Sequence, residues 1–532
     1  MCGKFRTLLW AYLLIMVCAN TLIDTSVKAS NDPLVYSYNF NYLGAFRVPN
    51  GLIGTDQFSY GGQSIAYNPI NNSLFVTGHK YHVAEISIPT PIIATNLTSL
   101  NTAKVLQNFS DVTEGNMKKI AANGEEISGE VKIGGLLVYG NKLIGTSYET
   151  YGTSAVLSHF ASGLNLSTTG DFAGMYAVGS SPSVPTASFV DGYMTKVPAN
   201  LQTKLGGPAL TGHGIISIMS RTSFGPAAFS FDPSKLGIDT PVAATPLLYY
   251  PMSHSTLNPP IGTGEGGASA SQFFTQATMI SGMTMVNGSR SVLFFGTHGI
   301  GNYGYGAPTI IPEYDGLNPC PGSETLCMYD PFGKGKGPHA YPYIYQVWAY
   351  DSNDLEEVKN GTKKPWDVMP YAIWTLPLTA VSSYVYPGAA TYDPVTQRLY
   401  IVTPDSDKIA SSSSLPVIHV FSVDLLAKSK SSYKLKGKVM LLNGTVVLKN
   451  NGADDLTISA SDRTAMQDFS FTTPIAPGGA YNVTVAKQPD NLFCTVLNGK
   501  GIVNANADIT NIVLTCSSEP KAPHNVKGSF VK

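Results

Sequence analysis

Short apolar runs separated by polar turns recur along the chain, and the stretch 62–88, GQSIAYNPINNSLFVTGHKYHVAEISI, displays the unit most plainly. A glycine opens a brief apolar run, a turn holding Asn68 and Pro69 reverses it, and Leu74 begins a returning run that ends at Thr77. A loop then leads to a third run over 83–88. Runs of this length bounded by Asn, Pro and Gly predict strand, turn, strand, loop, strand. The same order returns over 388–423, where Tyr392, Asp393 and Pro394 stand as Tyr67, Asn68 and Pro69 do, and Leu399 stands as Leu74 does. Between them lie three more copies: Gly135 with a returning strand over 143–147, Gly207 with 216–220, and Gly282 with 293–296. The opening glycines Gly62, Gly135, Gly207, Gly282 and Gly388 follow at near-equal intervals, apart from a longer last interval that holds an insertion. Five repeated units are therefore expected.

Beyond its third strand each of the first four units offers a fourth, over 103–109, 164–178, 245–250 and 371–376, whereas the fifth unit ends at Val423 without one. The strand-like segment YNFNYLGAFRV over 38–48 is left unassigned, and it fits that vacancy. Pairing the two ends of the chain in this way closes a ring and leaves no long sheet edge open. Here the chain resembles the β-propeller superfamily in the strand order of NHL and YVTN-type repeats, with five four-stranded blades over 38–424. The glycines fit that resemblance, because innermost strands converge on the axis and only small residues permit the approach. Gly61, Gly134, Gly206 and Ala389 widen the same small patch. The competing reading, ordinary hairpin glycines in a long β-sandwich, is opposed by the even spacing. Helical signals are weak, the clearest lying over 199–205.

After a linker over 425–433 the character changes. Alternating runs within 434–517, separated by Asn, Asp, Gly and Pro turns, predict a sandwich of about seven strands. The strings GTVVLKNNGADDLTIS from Gly444 and GAYNVTVAKQP from Gly479 resemble an immunoglobulin-like module found in bacterial envelope and secreted proteins. The expected fold is thus all-β, a five-bladed β-propeller plus a C-terminal immunoglobulin-like β-sandwich, with a disordered tail over 518–532.

Composition narrows the class. With 13% charged residues, 52 glycines, 35 prolines and a net charge of -1, the chain is turn-rich and near neutral, which removes the electrostatic basis for nucleic-acid binding. Lys4 and Arg6 precede an apolar run over 8–18, too short to span a bilayer comfortably. It reads as a signal peptide within 1–29, cleaved after Ala19 or Ala29. A lipid anchor on Cys18 is the rival, opposed by the bulk of Val17. No later run resembles a membrane span, so an exported protein is expected, periplasmic, cell-surface or secreted. Beyond the leader remain Cys320, Cys327, Cys494 and Cys516. These allow three pairings, and local pairing of Cys320 with Cys327 and of Cys494 with Cys516 is expected. An oxidising compartment agrees with both. The metal alternative lacks CxxC spacing.

Function is expected at the end of the ring where loops leave the second strand of each unit. The insertions 111–132, 179–204, 252–279 and 299–340 gather there, and loops so long are candidates for function. The first residues past the second strands are His79, Tyr148 with Glu149, Arg221, His298 and Asp405. Around an axial mouth such groups suit a sugar, a carboxylate or a cation; the bland reading makes them unrelated solvated loop residues. His82 and His419 read as sheet residues, and His213 as part of a turn over 211–214 at the other end. Aromatic residues crowd the last insertion and its flanks, from Tyr303 to Tyr350, where stacking on sugars competes with packing.

The expected function is that of a binding protein taking a glycan or protein ligand, acting as a monomer without cofactor or metal. The alternative is a carbohydrate-active hydrolase, since known five-bladed propellers include glycoside hydrolases. That chemistry needs two carboxylates across the site, and the first-strand segments 61–67, 134–139, 206–210, 281–286 and 388–392 contain no Asp or Glu. Only loop acids such as Glu125, Glu126, Glu149 and Asp405 remain to supply it. No GxSxG, HExxH or dinucleotide-binding fingerprint occurs, so no catalytic residue is assigned.

Overall fold

A strand that is apolar at nearly every position needs cover on both faces, and the strand Ser291–Gly299 is buried along its whole length. The protein is all-β and meets this need with small sheets packed face to face. The computed structural model describes residues 31–518 apart from 153, 180–183, 216–221, 252–272, 334, 380–387, 410–413 and 504–506. The expected leader 1–29, the expected strand 216–220, Arg221, most of the 252–279 insertion and nearly all of the expected tail therefore lie outside the described residues.

Strand β1 (Phe40–Arg47) stands ahead of the repeats. The first sheet takes β2 (Ile65–Asn68), β3 (Ser73–Thr77), β4 (Val83–Ser87) and β5 (Val105–Ser110) in chain order. The second takes β6 (Val131–Tyr139), β7 (Lys142–Glu149), β8 (His159–Gly163) and β9 (Ala173–Tyr176). The third takes β10 (Met194–Lys196), β11 (Ala209–Thr211), β12 (Ala228–Phe231) and β13 (Thr245–Leu248). In the fourth, β14 (Met279–Met285) and β15 (Ser291–Gly299) are followed by an insertion with its own sheet of β16 (Gly304–Thr309), β17 (Cys327–Tyr329) and β18 (Gly337–His339). Then β19 (Tyr343–Asp351) and β20 (Ala372–Thr375) complete it. The fifth takes β21 (Ala390–Asp393), β22 (Arg398–Asp407), β23 (Leu415–Val423) and, outermost, β1.

Alternation along the strands distributes their side chains between two cores. In β22, Leu399 and Ile401 join the core shared with the fourth sheet, while Tyr400 and Val402 join the core shared with the first. In β3, Leu74 and Val76 face the fifth sheet and Phe75 faces the second. Separate cores lie between the second and third sheets and between the third and fourth. Each fully buried Leu, Val or Phe on these faces contributes roughly 1.5–3 kcal/mol. The first strands of successive sheets also approach one another in a closed cycle, β2 to β6, β6 to β10, β10 to β14, β14 to β21, and β21 back to β2.

The cycle depends on β1. Its backbone pairs antiparallel with β23 from Phe40↔Val423 to Arg47↔Val417. A bulge falls between Tyr42 and Gly44, where φ is +117° and a Cβ would sit 2.3 Å from the backbone of Ile92; only glycine suits that point. Asn39 donates from Nδ2 to the carbonyl of Asp424 at 2.7 Å, and Arg47 pairs with the buried carboxylate of Asp407 at 2.6 Å. The expected pairing of the chain ends is thus observed.

The third sheet departs from expectation. Gly207 precedes β11, the second strand, and the first strand is the three-residue β10. The helical signal falls between them as the helix Gln202–Leu205, ended by Gly206 at φ +87°. Part of the expected 179–204 insertion is therefore sheet. So short a strand, followed by a helical turn instead of a tight hairpin, breaks the repeat pattern.

Toward the C-terminus, β24 (Leu435–Met440), β25 (Gly444–Asn450), β26 (Asp454–Ala460), β27 (Gln467–Ser470), β28 (Ala480–Lys487), β29 (Leu492–Leu497), β30 (Lys500–Ile502) and β31 (Ile509–Ser518) form two four-stranded sheets. Their orders are β27-β24-β31-β29 and β26-β25-β28-β30, and they share one core that includes Leu435, Val446, Leu448, Val483, Ile512 and Leu514. Both expected disulfides are present, Cys320–Cys327 in the insertion and Cys494–Cys516 joining paired positions of β29 and β31.

Deleting residues through Val48 is expected to bare the β23 edge and cause aggregation or loss of the cooperative transition of the five sheets, as read by size-exclusion chromatography and thermal unfolding. A truncation starting at Gly61 that stays monomeric with an unchanged transition would contradict closure. Loop-closure entropy assigns roughly 2.5 kcal/mol to Cys320–Cys327 and about 3.4 kcal/mol to Cys494–Cys516. Denaturant titration of the two double Cys→Ala variants is expected to rank them in that order, the larger loss falling on the C-terminal sheets.

Candidate functional site

The first strands all start at one end of the cycle, the leading end, and there they crowd a cavity of about 220 Å³. Its wall includes Gln63, Tyr81, Lys132, Tyr148, Tyr193 and His213, with Met279 and Ile280 from the head of β14. Glycines permit the approach. A Cβ on Gly134 would meet the carbonyl oxygen of Asp191 at 2.0 Å, and one on Gly192 would meet that of Gly212 at 2.4 Å.

Of the described residues expected around this mouth, only Tyr148 lines the cavity. It ends up there because β7 runs to the leading end, and its ring meets His213 edge-on with centroids 4.7 Å apart. Glu149 follows it in β7, is buried, and accepts from the backbone N–H and the hydroxyl of Ser154 at 3.2 and 2.9 Å. His79 is exposed beyond β3, its ring 5.8 Å from that of Tyr60. His298 is buried in β15, with Nδ1 2.9 Å from the Thr278 hydroxyl and its ring edge-on to Trp348. Asp405 has φ +59° and lies 3.9 Å from Lys408 Nζ. Arg221 lies outside the described residues.

His213 takes the prominent position instead. It follows β11, the true second strand of the third sheet, so it sits at the leading end and not in a turn at the far end. Nδ1 lies 2.5 Å from Oδ1 of Asp191, and both side chains are almost wholly buried. Asp191 accepts from Nδ1–H, which orients the ring. Nε2 is buried and has no partner among the described residues. Asp191 itself precedes β10, so the neighbourhood of the first strands does carry an acid. The wrong first strand concealed both residues; the available signal was Gly192 before the apolar pair Tyr193 and Met194, ahead of the helical turn.

The remaining polar groups at the cavity are committed or weakly held. Tyr193 donates its hydroxyl to the carbonyl of Ala227 and accepts from that residue's N–H, and burial pushes its pKa up. Tyr81 is likewise raised, by burial first and the negative charge of Glu130 second. Lys132 is 3.4 Å from Glu130 at the surface. No carboxylate lines the cavity among the described residues. The arrangement therefore offers one buried imidazole nitrogen, an amide and an ammonium, which together suit a hydroxyl-bearing ligand.

Other buried histidines lack that free nitrogen. His339 sets Nδ1 2.8 Å from Asp330 and Nε2 3.1 Å from the carbonyl of Gly335. His419 lies between the hydroxyls of Tyr42 and Thr403, at 3.0 and 2.9 Å. His159 has Nδ1 2.9 Å from Ser158 and Nε2 3.4 Å from Thr211.

The 299–340 insertion, expected to gather at this mouth, packs elsewhere. Ile300, Tyr329, Tyr341 and Ile344 share a core with Met440, Leu441 and Val513. Among known proteins, no family model matches this chain, and no curated protein matches it.

Burial holds the pKa of both His159 and His419 down at about 3. In the unfolded chain each takes up a proton near pH 6.5, whereas in the folded chain it stays neutral, so stability is full above that pH and falls as pH falls. The loss is about 1.4 kcal/mol per pH unit for each residue between roughly 6.5 and 3. Thermal unfolding measured from pH 7 to 4.5 is expected to show this decline, and His419→Asn should make its slope shallower.

Proposed function

We propose that this is an exported binding protein in which the five cyclically packed sheets form a five-bladed β-propeller over 38–424, followed by an immunoglobulin-like module over 434–517. The ligand site is the leading-end cavity, and the ligand class is a saccharide or another hydroxyl-rich molecule. Export is supported by the leader-like N-terminus and by the two disulfides; among the described residues no helix is long and apolar enough to cross a membrane.

One observation carries the ligand assignment: the buried His213–Asp191 pair on the cavity wall, whose Nε2 has no partner among the described residues. A buried polar atom left unpaired costs about 1–3 kcal/mol, a cost that a ligand hydroxyl donating to it removes. Lys132 and Gln63 add donors for the acceptor oxygens of the same molecule.

The same pair favours a second reading. An Asp that accepts from Nδ1–H holds an imidazole ready to take a proton at Nε2, the arrangement of a general base. A hydrolase using His213 to activate water or a hydroxyl follows from that geometry. A two-carboxylate glycosidase draws less support, because Asp191 and Glu149 are each engaged by a neighbour and no carboxylate lines the cavity among the described residues.

A panel of envelope oligosaccharides, scored for binding by calorimetry and for release of reducing ends, is expected to give binding without turnover. His213→Ala should weaken the binding by roughly 1–3 kcal/mol, about 5- to 150-fold, with the melting transition retained. Multiple turnover of a glycan or ester, abolished by His213→Ala and by Asp191→Asn, would transfer the assignment to the hydrolase.

A further inference from the structure

The cycle of first strands opens a second time, at the end where those strands finish, and the chemistry there is different. A cavity of about 260 Å³ is lined by residues of all five first strands, with Leu136, Val138, Met194, Met283 and Met285 on its wall. Tyr67, Thr195, Asn287, Thr391 and Tyr392 add polar groups to this wall, and two further polar side chains bear on binding. Thr284 is buried and its hydroxyl has no partner among the described residues. Lys196, the last residue of β10, is exposed, is the only charged side chain lining the cavity among the described residues, and forms no ion pair with any of them. Lys196 and Thr284 belong to β10 and β14, which are neighbours in the cycle, and each lies at the trailing end of its strand.

We infer that this trailing-end cavity binds an amphipathic monoanion of the medium-chain carboxylate class, its head at Lys196 and Thr284 and its tail along the axis over Met194 and Met283. The apolar part of the wall gains by taking an apolar guest. Methionine side chains are unbranched and polarizable, so they conform to a flexible chain. The volume leaves room for a chain of about eight carbons on the scale of ~30 Å³ per water-sized group. A carboxylate at the mouth would pair with the unengaged ammonium in a charge-assisted contact and accept from the Thr284 hydroxyl. Nothing in this inference depends on the leading-end site, which lies at the other end of the first strands.

The test is calorimetry on the full disulfide-bonded chain with octanoate, octanol and acetate as probes. Octanoate is expected to bind, octanol at least tenfold more weakly, and acetate not at all, since the head and the tail each contribute. Lys196→Gln should reduce octanoate to the level of octanol, and Met283→Trp, which fills the cavity, should abolish both. If Met283→Trp does not fold, Thr284→Val provides the second arm, with a several-fold loss of octanoate binding and an unchanged melting transition. Absence of octanoate binding at millimolar concentration, equal binding of octanoate and octanol, or octanoate binding unaffected by Lys196→Gln would overturn the inference.

Discussion

Everything in the five repeated sheets rests on burial of both faces of every sheet. The inner strands of each sheet therefore alternate between two different cores rather than between core and water, while outer strands such as β5 and β9 are partly exposed. A one-residue slip of β22 would exchange Leu399 and Ile401 for Tyr400 and Val402 and disturb the cores on both sides at once. Register is therefore strongly specified at every sheet. The same constraint makes closure necessary, because an open series would leave one face at each end bare, and β1 supplies the last pairing from the opposite end of the chain.

Convergence of the first strands creates the two cavities, and the residues at the strand ends decide their character. At the leading end the strands are approached by glycines and polar connections, which bring Asp191, His213 and Lys132 together. At the trailing end the wall sets Leu136, Val138 and three methionines beside Lys196, Thr284 and the polar ends of β2 and β21. Histidine illustrates how burial separates structural from available groups. His159, His339 and His419 have partners for both ring nitrogens, whereas His213 has one for Nδ1 alone.

The aromatic residues around the 299–340 insertion are largely packing. Tyr303 is buried and donates its hydroxyl to Gln276, Trp348 and Tyr350 lie in the core between the third and fourth sheets, and Tyr329 and Tyr341 pack with Met440, Leu441 and Val513. Arg463 adds an ion pair to Glu313, and Asn498 donates to the carbonyl of Ile300 at 3.4 Å. A disulfide-stapled insertion of this composition joins two sets of sheets, and its rings are for the most part unavailable for stacking on a ligand.

What the sequence determined by itself was local or periodic. Alternating apolar runs and turn residues marked the strands of the first, second, fourth and fifth sheets, the unpaired segment before them marked the closing strand, and cysteine spacing marked both disulfides. These features depend on neighbours in the chain or on a repeat, which one sequence contains. The third sheet broke the repeat, because a three-residue strand carries too few positions for a period of two to be visible, and the glycine before the next strand imitated the usual start. Only tertiary structure decided which end of the cycle His213 occupies, that Asp191 faces it, and that Tyr148 reaches the cavity while Glu149, one residue on, is bonded to Ser154. The physical reason is that such a site is made of residues far apart in the chain, brought within a few ångströms by the packing of one sheet on the next.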